Sequence, residues 1–95
     1  MRWTWDPDKA QANFEKHGVR FEIAQLVFDD PLALSDLDLF PDEERWRTLG
    51  QVSGVTLFVV HTWPEVQKKG DEPVGRIISA RKATSRERKA YEDGG

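Results

Sequence analysis

The chain has 95 residues, of which 38% are hydrophobic and 33% are charged, and its formal net charge is −3 at pH 7. This length predicts one small domain over residues 1–95, and four Trp and five Phe supply the apolar surface that disordered chains lack. The absence of cysteine excludes disulfides, thiolate catalysis and Cys-based zinc sites, and two His are too few for an ordinary structural zinc site. No apolar run approaches the roughly 20 residues of a membrane span, and the N-terminus lacks a signal-peptide hydrophobic region. We therefore expect a cytoplasmic protein that makes no membrane contact.

Capping residues define the first predicted helix, which follows a short strand over residues 2–5. Asp6 is a good N-cap, and Pro7 suits the first helical position because its missing N–H would have no helical partner there. Gly18 tolerates the left-handed conformation that commonly ends a helix. These signals predict a helix over residues 7–17.

Hydrophobic periodicity and turn signals predict the remaining elements. Phe21, Ala24 and Val27 recur at helical spacing, which predicts a second helix over residues 20–28. Strands are predicted over residues 32–39, 44–52, 55–63 and 74–81, with a turn at residues 40–43. The nearly continuous apolar run of residues 55–63 predicts the central strand. Thr84 and Glu87 form a capping box that begins a final helix over residues 85–92.

The predicted element order is β-α-α-β-β-β-β-α. Because short turns join consecutive strands, we expect an antiparallel sheet of four to five strands. Two N-terminal helices and one short C-terminal helix are expected to cover one side of it. The expected fold class is therefore α+β.

Charge is distributed unevenly along the chain. Residues 29–44 contain seven Asp or Glu and no basic residue, whereas residues 76–91 contain six Lys or Arg and one Glu, a net charge of +5. Concentrated positive charge favours an anionic partner. The acidic segment is either a second partner surface or a solvated face.

An ordered set of short motifs resembles the BrnT toxins of type II toxin–antitoxin pairs from about residue 3 to residue 91. The residues that carry the resemblance are Trp5-Asp6, Lys9, Asn13, Lys16-His17-Gly18, Phe21-Glu22-x-Ala24, Phe28-Asp29-Asp30-Pro31, Glu44-Arg45, Gly50, Arg76-Ile77-Ile78-Ser79-Ala80-Arg81 and Glu87-Arg88-x-x-Tyr91. The resemblance implies a RelE-like fold and a ribonuclease that inhibits translation. It also implies a BrnA-like antitoxin with a ribbon-helix-helix DNA-binding domain, so that DNA is contacted only through the antitoxin.

The reaction implied by the resemblance is RNA cleavage without a metal or other cofactor, in which the ribose 2′-OH attacks the adjacent phosphate. His17 is a candidate general base because an unperturbed imidazole titrates near ~6.5. It shares the apolar stripe of its helix with Ala10 and Phe14, so the alternative is a capping or core-edge role. His61 lies inside the predicted central strand and is a weaker candidate.

Arginines are the main candidates for holding the reacting phosphate, because a guanidinium stays charged and grips phosphate with two hydrogen bonds. Arg76, Arg81 and Arg45 are the catalytic candidates, and Arg47 shares the strand face of Arg45. Arg76 and Arg81 are five residues apart, so in a regular strand they point to opposite faces. Either one of them is structural, in an ion pair with Glu22, Glu44 or Glu87, or the strand ends or bulges before Arg81.

Further cations and an aromatic residue are candidates for binding RNA outside the reacting phosphate. Lys9 and Lys16, with Asn13 between them, share a face of the first helix; the alternative is that these lysines only face solvent. Arg88 and Tyr91 lie three residues apart on the last helix, where Tyr91 stacks on a base, serves as an acid or docks the helix on the sheet. The competing function is a noncatalytic partner-binding module or a transcriptional co-regulator acting through a DNA-binding antitoxin.

Overall fold

The computed structural model describes residues 1–38 and 44–94, so the predicted turn at residues 40–43 lies outside the described residues. The elements in chain order are β1 (Arg2–Thr4), α1 (Pro7–His17), α2 (Phe21–Ala24) with a 3₁₀-helix (Gln25–Asp29), β2 (Leu34–Asp38), β3 (Arg45–Val52), β4 (Val55–His61), β5 (Val74–Lys82) and α3 (Ser85–Glu92). This order confirms the predicted α+β class.

The sheet is mixed, which corrects the prediction of a purely antiparallel sheet. Its strand order is β1-β5-β4-β3-β2, so the apolar strand β4 is central, as predicted. Strands β2 to β5 pair antiparallel, but β1 runs parallel to β5, with Arg2 opposite Val74. Consecutive strands joined by short turns must be antiparallel. β1 is free of that constraint because most of the chain separates it from β5.

The predicted end signals of α1 and α3 form as expected. The Asp6 carboxylate accepts hydrogen bonds from the backbone N–H groups of Asp8 and Lys9, and Gly18 ends α1 with φ of 72°. Thr84 and Glu87 form the reciprocal capping box of α3. Capping depends on residues within one helical turn, so it can be read from sequence.

The second predicted helix is broken, which corrects the continuous helix expected over residues 20–28. Its α-helical part is only Phe21–Ala24, and the chain then tightens into the 3₁₀-helix. There Val27 lies directly on β3 at Gly50, where an added Cβ would be 2.8 Å from the Val27 Cβ. Packing against β3 thus determines the conformation of residues 25–29, although the spacing of apolar residues favours a continuous α-helix.

Helices cover both faces of the sheet rather than one. Phe21, Ala24 and Val27 share the core with Leu57 of β4 and Ile77 of β5, so α2 and the 3₁₀-helix lie on one face, here called the core face. Ala10 of α1 packs against the same cluster. The prediction of one-sided cover is wrong because α3 crosses the opposite face, where its residues Glu87 and Ala90 lie beside Leu49 and Phe58.

A β-bulge in β5 changes which side chains share a face. His61 pairs with Ile77 and Val60 pairs with Ser79, so Ile78 is an extra residue in β5. Ile77 and Ala80 are both buried on the core face although they are three residues apart. Their neighbours Arg76 and Arg81 therefore both face away from the core, which confirms the bulge alternative of the sequence analysis.

The side chain of Asn13 takes the place of a strand beside β5. Its amide nitrogen donates to the carbonyls of Ala80 and Val19 at 2.9 and 3.0 Å, and its oxygen accepts from the Ala80 N–H at 3.1 Å. β1 pairs with β5 only as far as Arg76, so Ala80 lies beyond the end of β1. Asn13 is buried, and it thereby anchors α1 to the part of β5 that leads into Arg81.

Asp30 and Tyr91 connect α3 to the rest of the fold. The Asp30 carboxylate accepts from the Tyr91 hydroxyl and from the backbone N–H groups of Gln51 and Leu32. The hydrogen bond from Tyr91 lowers the pKa of Asp30, and the backbone donors act in the same direction. The Asp30 carboxylate in turn raises the pKa of the Tyr91 phenol. A helix of eight residues is too short to be stable alone, so this tether and the capping box keep α3 on the sheet.

Replacing Asn13 tests the contribution of its hydrogen bonds to the backbone of Ala80 in β5. Asn13→Ala leaves the N–H and C=O of Ala80 without their partner, and we expect a loss of about 2–4 kcal/mol in the free energy of unfolding. Urea denaturation measures this loss. The matched control is Gln11→Ala on the exposed side of α1, where only an i,i+4 contact with Glu15 is removed; equal losses in both variants would contradict the role of Asn13.

The Asp30–Tyr91 contact predicts a pH-dependent effect of Tyr91→Phe. Because the folded-state pKa of Asp30 is lowered, its stabilising contribution is present above the ordinary carboxyl range near ~3.9 and is lost as the pH falls through the folded-state pKa. We expect Tyr91→Phe to lower the free energy of unfolding at pH 7 and to lower it clearly less at pH 3. Urea denaturation at both values measures the difference, and a cost that does not change with pH would refute the assignment.

Candidate functional site

Four arginines point to the same side of the sheet, opposite the core face. Arg47 lies across from Val60 of β4, and Arg81 lies across from Phe58, with its guanidinium carbon 4.2 Å from the centroid of that ring. Arg45 lies two residues before Arg47 on the same strand face, and the bulge brings Arg76 to this side. We call this surface, formed by Arg45, Arg47, Arg76 and Arg81, the arginine face.

Arg81 is held in one orientation by Glu87 of α3. The two guanidinium nitrogens donate to the two carboxylate oxygens at 2.8 and 3.0 Å. The same carboxylate accepts from the backbone N–H of Thr84 at 2.8 Å as part of the capping box. The ion pair raises the pKa of Arg81 and lowers the pKa of Glu87. The start of α3 and the orientation of Arg81 therefore depend on one carboxylate.

Arg45 and Arg47 take partners from β2. Arg47 forms an ion pair with Asp36, which raises the pKa of Arg47, and Arg45 pairs with Asp38 at 3.0 Å. These are cross-strand pairs set by the register of β2 and β3. Asp36 and Asp38 of the acidic segment are therefore counter-ions of the arginine face. Asp42 and Glu43 of the same acidic segment lie outside the described residues.

A cavity of about 440 Å³ opens between α3 and the arginine face. Arg47 and Arg86 contribute positive charge to it, Asp36 and Glu87 contribute negative charge, and Phe58 contributes an aromatic ring. The cavity thus offers guanidinium groups to a phosphate and a ring surface beside them. Arg86 extends the cationic surface beyond the residues that the sequence singled out.

The candidate residues of α1 lie on the helix that covers the core face. Lys9 and Lys16 are exposed there, whereas Asn13 between them is buried against β5 and faces no ligand. His17 is half-buried at the C-terminal end of α1. Among the described residues, no hydrogen bond or ion pair joins His17, Lys9 or Lys16 to the arginine face, so the structure does not bring these candidates together with the arginines.

His61 is buried on the core face and forms part of a hydrogen-bonded chain. Its Nδ1 lies 2.8 Å from the Thr62 carbonyl, which can only accept, so Nδ1 carries the proton. Its Nε2 then accepts from the Thr48 hydroxyl at 2.6 Å, and Thr48 is bonded in turn to Ser35 at 2.7 Å. Burial lowers the pKa of His61, so the ring stays neutral. These contacts give His61 a structural role.

The two candidates on α3 differ in their surroundings. Arg88 is exposed, and its guanidinium donates to the Ser85 hydroxyl at 3.3 Å. Tyr91 is buried, and its hydroxyl is bonded to Asp30, which matches the docking alternative of the sequence analysis. Binding of RNA by Arg88 and Tyr91 stays a prediction.

Sequence reasoning missed the carboxylates that order the arginine face. The pattern Asp36-x-Asp38 opposite Arg45-x-Arg47 was a usable signal, because antiparallel strands place such residues across from each other. The ion pair of Glu87 with Arg81 was foreseen as an alternative, but its double role in the capping box was not. Within residues 1–38 and 44–94, no group of three or more His, Asp and Glu side chains is placed to hold a metal ion.

Comparison with known proteins assigns the chain to a family. No helix within the described part of the chain is long and apolar enough to cross a membrane, and comparison with curated proteins returns no match. The profile of the family described as "Ribonuclease toxin, BrnT, of type II toxin-antitoxin system" matches residues 5–87, which include α1, the strands β2 to β5 and all four arginines. The chain therefore belongs to the BrnT family of type II toxin–antitoxin ribonuclease toxins.

Proposed function

We propose that this protein is a ribonuclease toxin that cleaves RNA at phosphates bound on the arginine face and so inhibits translation. The observation that supports the proposal best is the convergence of Arg45, Arg47, Arg76 and Arg81 on one face of the sheet. A guanidinium group binds phosphate oxygens through two parallel hydrogen bonds, and it stays charged at every physiological pH. Family membership supports the ribonuclease activity independently.

In the proposed reaction, the ribose 2′-OH attacks the neighbouring phosphorus and the 5′-oxygen leaves, so that a 2′,3′-cyclic phosphate forms. The 2′-OH loses its proton and the leaving oxygen gains one. Negative charge accumulates on the phosphate oxygens in the transition state, and fixed guanidinium groups stabilise it without having to reorient. Glu87 supplies this fixation for Arg81, because its bidentate ion pair limits the rotation of the guanidinium.

The arginine face presents carboxylates but no imidazole among the described residues. Glu87 has a lowered pKa and is therefore a weak base. We accordingly assign most of the rate enhancement to electrostatic stabilisation by the arginines. The alternative that His17 is the general base requires RNA to reach the end of α1 as well as the arginine face.

A second candidate function is supported by the ion pairs themselves. Arg47 and Arg81 already bind the carboxylates of Asp36 and Glu87, and RNA phosphates must share or displace these partners. In a noncatalytic module that acts only by binding its antitoxin, these ion pairs could stay intact, because no RNA phosphate has to displace the carboxylates. The family implies an antitoxin partner; we propose that it is BrnA-like, with a ribbon-helix-helix domain that makes all contacts to DNA.

The proposal is tested with antitoxin-free protein in EDTA. We expect the wild type to cleave RNA, and we expect Arg76→Ala and Arg81→Ala each to lower kcat/KM by about 10²–10³-fold, because each removes a positive charge that stabilises the transition state. Arg81→Lys keeps the charge but loses the bidentate geometry, so it should recover only part of the rate.

The matched control is Arg20→Ala. Arg20 precedes α2 and stacks on the Phe14 ring with its guanidinium carbon 4.1 Å from the centroid, so its removal should leave cleavage near the wild-type rate. A wild type that neither cleaves RNA nor slows growth would support the noncatalytic function instead.

His17→Ala tests the base separately. Because α1 lies over the core face, we expect the rate of cleavage to stay within a few-fold of the wild type, and the pH profile to stay unchanged. A fall of about 10²–10⁴-fold in a correctly folded variant would establish His17 as the general base. Single-turnover cleavage between pH 5 and pH 8 measures both quantities.

A further inference from the structure

A second cavity, on the other side of the sheet, has walls made largely of rings. It has a volume of about 210 Å³, and Trp3, Phe28, His61 and Trp63 line it together with Pro64. None of these rings belongs to the arginine face. Trp63 is 50% exposed, which is unusual for a residue that proteins normally bury, so half of a large stacking surface faces solvent.

The inner wall of this cavity is rigid. The rings of Trp3 and Phe28 are stacked with centroids 3.9 Å apart and an angle of 14° between their planes. Trp3 also lies flat on Gly75, where an added Cβ would be 2.5 Å from the indole. Trp63 rests on Trp46 with ring centroids 4.7 Å apart. Each of these rings is therefore held in position by contact with a neighbouring ring.

The polar atoms around the cavity are mostly committed to internal bonds. His61 has both ring nitrogens bonded, to Thr48 and to the Thr62 carbonyl. The Ser35 hydroxyl, which also lines the cavity, is bonded to Thr48. A ligand would therefore be held by ring stacking and apolar contact, with little hydrogen-bond discrimination. Stacking without such readout is how proteins bind unpaired bases of single-stranded nucleic acid with little sequence preference.

The cavity adjoins the arginine face around one end of the sheet. Thr62, next to Trp63, donates its backbone N–H to the Arg76 carbonyl at 2.9 Å and accepts from the Arg76 N–H through its hydroxyl at 2.9 Å. Backbones joined in this way lie about 5 Å apart. The Arg76 side chain and the cavity lie on opposite sides of the sheet, so an RNA strand whose phosphate binds at Arg76 must pass round this end of the sheet to place an adjacent base on Trp63.

We propose that this cavity binds one unpaired base of the RNA, stacked on Trp63, next to the phosphates on the arginine face. This inference rests on the proposed function, because RNA is the ligand in both. It adds a base subsite that contributes affinity but little sequence preference.

The test measures binding of short 2′-O-methyl RNA, which lacks the attacking hydroxyl and stays intact. We expect Trp63→Ala to weaken binding by about 5- to 150-fold, the range measured for loss of one stacked base. Trp63→Phe should lose much less, because a ring remains. The matched control is Val66→Ala, three residues on and 54% exposed, which should bind as the wild type does. Circular dichroism confirms that each variant is folded.

The outcomes separate this inference from the proposed function. Equal affinity of Trp63→Ala and wild type overturns the base subsite even if the wild type cleaves ordinary RNA. A weakened Trp63→Ala supports the subsite even if ordinary RNA is never cleaved, in which case only the ribonuclease proposal fails. If Trp63→Ala binds RNA normally but loses affinity for the purified antitoxin, the cavity is a protein-docking site and the inference is wrong.

Discussion

The bulge at Ile78 is the constraint on which the candidate site depends. With regular pairing, Arg76 and Arg81 would point to opposite faces, and one of them would be buried among the apolar side chains of the core. The extra residue shifts the alternation, so Ile77 and Ala80 stay in the core while both arginines face away from it. One inserted residue thus allows apolar side chains to face the core, and both arginines to face the opposite side, along the whole strand.

The carboxylates around the arginines matter for geometry more than for stability. Arg47 and Asp36 are well exposed, and exposed ion pairs contribute only about 0–1 kcal/mol. Arg81 and Glu87 are more enclosed, and their bidentate pair also completes the N-cap of α3. These pairs orient guanidinium groups in advance of phosphate binding, and phosphate can share them because each guanidinium has five N–H donors.

Local features of the fold were predictable from sequence, whereas long-range ones were not. The caps at Asp6, Gly18 and Thr84 depend on residues within a few positions, and β4 is central because its apolar run needs cover on both faces. The parallel pairing of β1, the position of α3 and the burial of Asn13 depend on contacts between residues more than sixty positions apart. For the site, the arginines were identified from charge and family resemblance, but their common face required the register of β4 and β5.

The central claim is that RNA binds on the arginine face. The most direct measurement is a titration of ¹⁵N-labelled protein with uncleavable 2′-O-methyl RNA, following the Nε–Hε signals of the arginine side chains. Signals of Arg81, Arg76 and Arg47 should shift together at saturating RNA, while the signal of Arg20 stays in place. A shift of the Arg20 signal, with the signals of the arginine face unchanged, would contradict the account.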